Sequence, residues 1–266
     1  MSDSTQNETG FSASNSPRRT AVDVLTKLVH GSAPFISTFL LIHLSAPALA
    51  SLGGSSLSSQ VMVSTFSLSG PPRTYAETKQ ILGREYYQTS FGHKYLVVAP
   101  LLVHSACGVA KRLFAPRTAR KLSSLFALTG YSSMLLFLPI HYLVHRVYPA
   151  DPLPPIYSVG PAELDFEYVK YGLHTWPWRS WCLYAGLTAA VTWHAAEGMQ
   201  IIWNTYFKER FGGWKCTLKS HLANVAAVVV PVLFGVFTIA QEPSFAFLSS
   251  ISRFNAAFRN CWVFRI

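Results

Sequence analysis

Charge is what this 266-residue chain has least of: Asp, Glu, Lys and Arg together make up 13% of it, against about 25% in a soluble domain. That shortage excludes an ordinary water-soluble globule, and the 50% hydrophobic and 14% aromatic content points to hydrocarbon. Cysteine is scarce too. Cys107, Cys182, Cys216 and Cys261 are widely scattered, with no CxxC or CxxCH, so neither a disulfide framework nor covalently attached haem is expected. Acids are outnumbered, 12 against 22 Lys and Arg, for a net charge of +10. The cations cluster beside apolar runs and form no basic stripe with exposed aromatics. They read as loops facing anionic lipid, not as a nucleic-acid footprint. A Walker loop, zinc-ligand spacing, a nucleophile triad and paired catalytic carboxylates are all missing, so enzyme chemistry of the soluble kind is not expected. The opening "MSDSTQNETGFSASNSPRR" lacks the apolar core of a secretory signal and makes a poor Arg-rich transit peptide. Residues 1–32 are expected to form a disordered polar tail, leaving any targeting to internal segments.

What the chain does have is long apolar runs. A helix needs roughly 20 mostly apolar residues to cross about 30 Å of hydrocarbon, and five stretches qualify: Ala33–Leu52, Tyr95–Phe114, Leu122–Val147, Trp181–Trp203 and Ala223–Ala240. The expected fold is an all-α integral membrane bundle of five transmembrane helices over residues 33–240. Residues 53–94 read as a long Ser/Gly/Pro-rich loop, 115–121 as a short basic turn, 148–180 as a Pro-rich acidic loop and 204–222 as a second basic loop. The positive-inside rule applied to those two basic connections puts the N-terminus in the cytosol. No line of polar residues of the kind a transporter carries runs along one face of a span. In residues 241–266, Phe247, Ile251, Phe254, Phe258 and Trp262 recur at helical spacing with Arg253, Arg259 and Arg265 among them. That pattern fits an amphipathic helix lying in the membrane interface; a terminal helix packed on the bundle fits it equally well.

Four histidines lie within the apolar runs, one in each of the first four: His43, His104, His141 and His194. Such groups are expensive in lipid and face the bundle interior. "LLVHSACGV" and "VTWHAAEGM" share His-x-Ala-x-Gly (His104 with Gly108, His194 with Gly198), and an Ile-His pair recurs in "FLLIHLSAP" and "LFLPIHYLV". The simplest account is a duplicated helix pair with one helix added. Two imidazoles on facing helices are what a b-type haem needs. His104 and His194 are the first candidate pair of iron ligands and His43 with His141 the second, with Gly108 and Gly198, one turn from their histidines, leaving room for a flat macrocycle. Plain interhelical packing at small residues is the competing account. Glu197, the one acid within a run, is expected to make a plain interhelical hydrogen bond as the protonated acid, the alternatives being to pair with a basic group or to take a proton in redox chemistry. His30, His93, His145, His174 and His221 are expected at the interfaces, as is an aromatic belt of Trp176, Trp178, Trp181, Trp203 and Trp214.

With "HKYLVVAPLLVHSACGVAKRL", "AAVTWHAAEGMQIIW" and its five spans, the chain resembles over residues 33–240 the fungal mitochondrial adapter proteins of the MCP-one type. The resemblance implies a multi-pass protein of the mitochondrial outer membrane that supports lipid homeostasis. It would act as a receptor or adapter for a large lipid-transfer protein at organelle contact sites, its other partners being membrane lipids. The membrane domain of that family is similar to the cytochrome b anchors of succinate dehydrogenase and fumarate reductase, which implies haem b on His104 and His194, then His43 and His141. An electron-carrying b-type cytochrome is therefore the alternative to the adapter. One departure is plain. The family recruits through a Pro-x-Pro motif in its N-terminal tail, whereas this tail has only Pro17. The sole Pro-x-Pro, Pro152-Leu153-Pro154, falls in the loop placed on the opposite side.

Overall fold

A computed structural model describes residues 17–64, 89–114, 124–160 and 163–265. Helix α1 runs Pro17–Ser64, α2 Gly92–Phe114 and α3 Leu125–Ala150. Then come α4 (Phe166–Thr175), α5 (Pro177–Tyr206), the short α6 (Lys208–Phe211), α7 (Leu218–Gln241) and α8 (Leu248–Asn260). The described residues contain no strand, and the all-α membrane bundle expected from the apolar runs is what they form.

Four of these helices, α1 (over Pro17–Ser56), α2, α3 and α7, are long and apolar enough to cross a membrane. The fifth expected span, in α5, is long enough at 30 residues but more polar. It carries His194, Glu197 and Gln200, and its buried residues include Ser180, Thr188 and Thr192. So a polar side of one helix does exist and is turned inward, where Ser180 donates to the Gly172 carbonyl at 2.7 Å while Thr192 Oγ1 has no hydrogen-bond partner among the described residues. Helix α1 lies on α2, α3 lies on α5, and α7 fills the remaining side against both α1 and α5. Its closest approach is at Gly235, where a Cβ would run into the backbone carbonyl of Pro47 on α1. Glycine is what lets two membrane helices meet at that separation.

Two expected boundaries move. Helix α1 begins at Pro17, so residues 17–32 of the expected tail are helical, while residues 1–16 lie outside the described residues. Proline opens a helix well because its fixed φ suits the first turn and its missing N–H is not needed there. Ser32 is then buried against the bundle rather than left in a tail. The expected loop 53–94 also starts later. The chain breaks at Gly53 and Gly54, the latter at φ +70°, and resumes as helix to Ser64. Most of that loop, residues 65–88, lies outside the described residues, as does the basic turn over 115–123.

The break is held by an ionic clasp. Glu242, just past the end of α7, accepts from the Ser55 amide (2.7 Å) and the Ser55 hydroxyl (2.5 Å). Its carboxylate also meets Lys170 of α4 at 3.0 Å, and Lys170, only 2% exposed, donates to Glu167 at 2.7 Å. Glu167 in turn accepts from the Ser244 hydroxyl and the Phe245 amide, at 3.0 and 2.9 Å. Removing Lys170 would leave two neighbouring carboxylates without their shared counter-ion. Burial pushes the Glu242 carboxyl up, but the Ser55 donors and the Lys170 ammonium outweigh it and hold it below its ordinary value. Glu167 is likewise lowered, against its own burial, by Lys170, Phe245 and Ser244. For Lys170, burial works against the charge and the two carboxylates win, so its value rises.

The same end of the bundle carries a cap. The last turns of α3, the 151–160 loop, α4, α8 and the turn at Trp262–Phe264 close around one apolar core of Val144, Ile156, Val159, Tyr168, Phe254, Phe258, Cys261 and Phe264. Tyr168 stacks on Phe258 (ring centres 4.7 Å apart) and donates its hydroxyl to the Val144 carbonyl at 2.9 Å. Arg253 donates to the Ile156 carbonyl (2.7 Å) and pairs with Glu163. Of the two arrangements open to residues 241–266, α8 takes the packed one: Phe254 and Phe258 face the protein, while Trp262 stays 65% exposed. Trp176, expected in a lipid-facing belt, packs into this cap against Phe258 and Phe264. Leu153 of the Pro-x-Pro sits in a closed turn, its amide on Asp151 Oδ1 (2.9 Å) and its carbonyl accepting from Ile156 and Tyr157 (3.0 and 3.1 Å).

The clasp predicts a pH limb with a definite sign. Groups held below their unfolded value near 4.5 stabilise the fold above that pH and lose the contribution as pH falls through their lower folded value. Thermal midpoints of the detergent-purified protein should hold through neutral pH and fall below about pH 4.5. Glu242→Gln should cost about 1.5–3 kcal/mol at pH 7, the scale of a hydrogen bond to a charged group, and flatten that acid limb. An unchanged limb in the variant would refute the clasp.

Candidate functional histidine pairs

The bundle brings the candidate histidines together in the two pairs expected. His104 of α2 and His194 of α5 have ring centres 6.1 Å apart and planes at 88°. His43 of α1 and His141 of α3 lie 6.0 Å apart at 77°. Each pair crosses from one helix pair of the duplication to the other. Ser32 touches His104 on α1 and Gly130 touches His194 on α3, and both are eleven residues (43 − 32 and 141 − 130) ahead of the second pair's histidine on the same helix. At 1.5 Å per residue the pairs therefore sit roughly 16 Å apart along the bundle.

The first pair is oriented by backbone carbonyls. His104 Nδ1 lies 3.1 Å from the Val29 carbonyl and 3.2 Å from the Ser32 hydroxyl, and that hydroxyl itself donates to Val29 at 2.9 Å. His194 Nδ1 lies 3.1 Å from the Phe126 carbonyl. A carbonyl only accepts, so both rings carry their proton on Nδ1 and leave a lone pair on Nε2. That is the tautomer a metal-binding imidazole needs, fixed by an outer partner. Gly130 makes room for it: a Cβ there would lie 2.8 Å from the His194 ring. Phe126 stacks on the His194 ring at 4.3 Å. The expected glycine roles divide. Gly108 has open space where a side chain would stand, whereas a Cβ on Gly198 would rest at 3.9 Å from Phe126.

These residues fit a haem better than a bare ion. Among the described residues no group of three or more His, Cys, Asp or Glu side chains could hold a metal ion, and each pair supplies two nitrogens. Haem iron in a bis-histidine site takes two and receives the rest from the macrocycle. Metal–nitrogen bonds of about 2 Å put two imidazoles on opposite sides of one iron with their ring centres about 6 Å apart, as both pairs are.

Two histidines expected at the interfaces are interior. His145 accepts or donates to the Tyr184 hydroxyl at 3.1 Å and packs on Tyr168, Phe258 and His141. It lines a small cleft, with room for about one water, together with His141, Ser180, Tyr184 and Phe264. His221, 6% exposed, places Nε2 at 4.0 Å from Glu197, which takes the Trp193 indole N–H at 2.8 Å. So Glu197 lies near a basic group, and at 4.0 Å the two are not hydrogen-bonded. Both histidines were misplaced because they lie near the ends of their runs, and it is the cap over one and the crossing of α5 with α7 over the other that bury them. His30, His93 and His174 sit nearer helix ends, bonded to Tyr206, Tyr142 and the Ala240 carbonyl. Val29, Ser32, Phe126 and Gly130, which hold the first pair, carry no mark in the sequence beyond being small or apolar.

Gly130→Ala should drive the His194 ring away from the Phe126 carbonyl, at a cost of about 1 kcal/mol for the lost hydrogen bond. In ¹⁵N-histidine spectra the wild-type protein should give Nδ1–H signatures for His104 and His194, and the variant should lose only the second. Two unchanged signatures would mean that Gly130 does not set the ring.

Residues 136–241 match the family model described as MDM10-complementing protein 1, transmembrane domain. The match takes in the second half of α3 and all of α4 to α7, and with them His141, His145, His194 and His221. No curated protein and no solved structure matches the chain. Through that stretch the chain is similar to that transmembrane domain, and with four helices long and apolar enough to span it is a multi-pass membrane protein.

Proposed function

We propose that the protein resides in the mitochondrial outer membrane and supports lipid homeostasis as a receptor or adapter for a large lipid-transfer protein at organelle contacts. The observation that carries this reading is the match of residues 136–241 to a transmembrane domain of that family. In it the N-terminus and the basic 204–222 loop face the cytosol. Docking uses a surface other than the Pro-x-Pro, because Leu153 already spends its amide and carbonyl inside a closed turn. The chain, expressed in cells, should fractionate with mitochondria, and an N-terminal tag should be cut by protease added to intact organelles. Deleting residues 1–16 should disturb mitochondrial phospholipid composition, while His104→Ala with His194→Ala should leave it unchanged. A protected tag, or sensitivity to the histidines alone, would sink the adapter.

A second reading is favoured by the geometry of the paired rings. His104 and His194 would hold one haem b and His43 and His141 a second, with Val29 and Phe126 fixing the ligand tautomers of the first pair. Such a group supplies one-electron chemistry when bound. The chain's own part is to present two neutral nitrogens at each level and to keep water out. The purified protein, made with ample haem, should show on dithionite reduction a sharp α-band near ~560 nm of the bis-histidine type. His104→Ala or His194→Ala should remove about half of it if both pairs are loaded. A featureless spectrum would leave the pairs as interhelical packing.

A further inference from the structure

The connection between α5 and α7 is a built surface, and its chemistry differs from that of the capped end. Four side-chain hydrogen bonds pin it to the last turns of α5. Trp203 Nε1 donates to the Gly212 carbonyl at 3.1 Å, and Asn204 both donates to the Trp214 carbonyl and accepts from its amide, each at 2.8 Å. Gln200 donates to the same Trp214 carbonyl at 3.1 Å. Gly212, at φ +86°, turns the chain back, and Thr217 caps α7 by accepting from the Ser220 amide at 3.3 Å. The backbone is therefore held in place while its charged side chains stay exposed, Arg210 lying over the Phe211 ring at 5.6 Å. Lys208, Arg210, Lys215 and Lys219 are all exposed against one acid, Glu209, and among the described residues none of the four pairs with an acid. Beside them Phe207 and Phe211 present their rings outward, Phe211 at 63% exposure, while Trp203 packs beneath both.

We propose that this connection is a preformed docking surface for the headgroup layer of an anionic phospholipid bilayer. Its position settles the choice of lipid over an acidic protein. The patch hangs between the ends of α5 and α7, the second of which is long and apolar enough to span, so it stands where hydrocarbon gives way to headgroups. Rings beside cations at that depth suit a bilayer: the aromatic faces enter the interface and the cations reach phosphate. A protein partner for so many unpaired cations would have no use for apolar rings at membrane level. The tie between His30 of α1 and Tyr206 at 3.2 Å places the patch at the same end of the bundle as the start of α1. Because the loop is pinned, little ordering is left to be done when a lipid binds, which favours a fixed stoichiometry over a diffuse cloud. The inference rests only on the bundle crossing a membrane. It stands or falls separately from the adapter and the haem.

Native mass spectrometry of the full chain in detergent, titrated with phosphatidylglycerol and with phosphatidylcholine, tests it. The anionic lipid should bind at least about tenfold more tightly, and each of Lys208→Gln, Arg210→Gln, Lys215→Gln and Lys219→Gln should weaken it about fivefold. Glu209→Gln should strengthen it by a similar factor. Circular dichroism melts should stay unchanged, since the substituted side chains are exposed. Equal affinity for the two lipids, or a quadruple variant that keeps the preference, would overturn the proposal. So would soluble polyglutamate binding with the same dependence on the four cations while the lipid shows none, which would make the face a site for acidic proteins.

Discussion

No water reaches the middle of a bilayer to satisfy a polar side chain, so each interior histidine has to find its partner on another helix. The bond from His194 Nδ1 to the Phe126 carbonyl and that from His104 Nδ1 to Val29 meet this demand, and they do more than hide a proton. Each ties two helices at a set rotation and depth: α5 to α3, and α2 to α1. Once those two contacts are made the rings stand about an imidazole-metal-imidazole distance apart. The register that satisfies the first pair also carries His43 to His141 on the same two helices. Helix packing, tautomer and candidate ligand geometry are thus one arrangement.

The opposite end works on a different principle. There the chain leaves lipid, and an ionic group becomes affordable because it can be ringed by protein and reached by solvent at its edge. Lys170 lies between Glu167 and Glu242, and Glu242 reaches on to the Ser55 amide where α1 breaks. Three elements distant in sequence are joined through one carboxylate. Over them the aromatic cap of Tyr168, Phe254, Phe258 and Phe264 supplies apolar burial that a lipid-facing bundle cannot obtain from its own outer surface.

Much of this was legible in the sequence, and what was not has physical causes. A histidine inside an apolar run is costly, so His43, His104, His141 and His194 announce themselves, and their repeat spacing indicates the pairing. Near the end of a run the same residue looks cheap, which is why His145 and His221 read as interfacial. Their burial depends on the cap and on the crossing of α5 with α7. The spacing of Phe254 and Phe258 is the same whether they meet lipid or Tyr168, so periodicity alone left two answers open. Gly130 is one glycine in an apolar helix. Only the ring opposite it gives it meaning. Trp181–Trp203 reads in the sequence as a fifth apolar run, but the polar residues it carries leave α5 outside the four helices apolar enough to span.

The crossing of the histidine pairs between the two halves has a consequence for how the protein is made. His43 and His104 are synthesised on the first two helices, and neither has its partner there: one waits for residue 141 and the other for residue 194. At 5–20 residues per second, the 90-residue gap from His104 to His194 (194 − 104) leaves that ring without its opposite number for on the order of 5–20 s. During that interval the Val29 carbonyl and the Ser32 hydroxyl, both on α1, are already within its reach. The bond that orients the ring in the finished bundle thus needs only the first two helices, and is open to it before the second half has been synthesised.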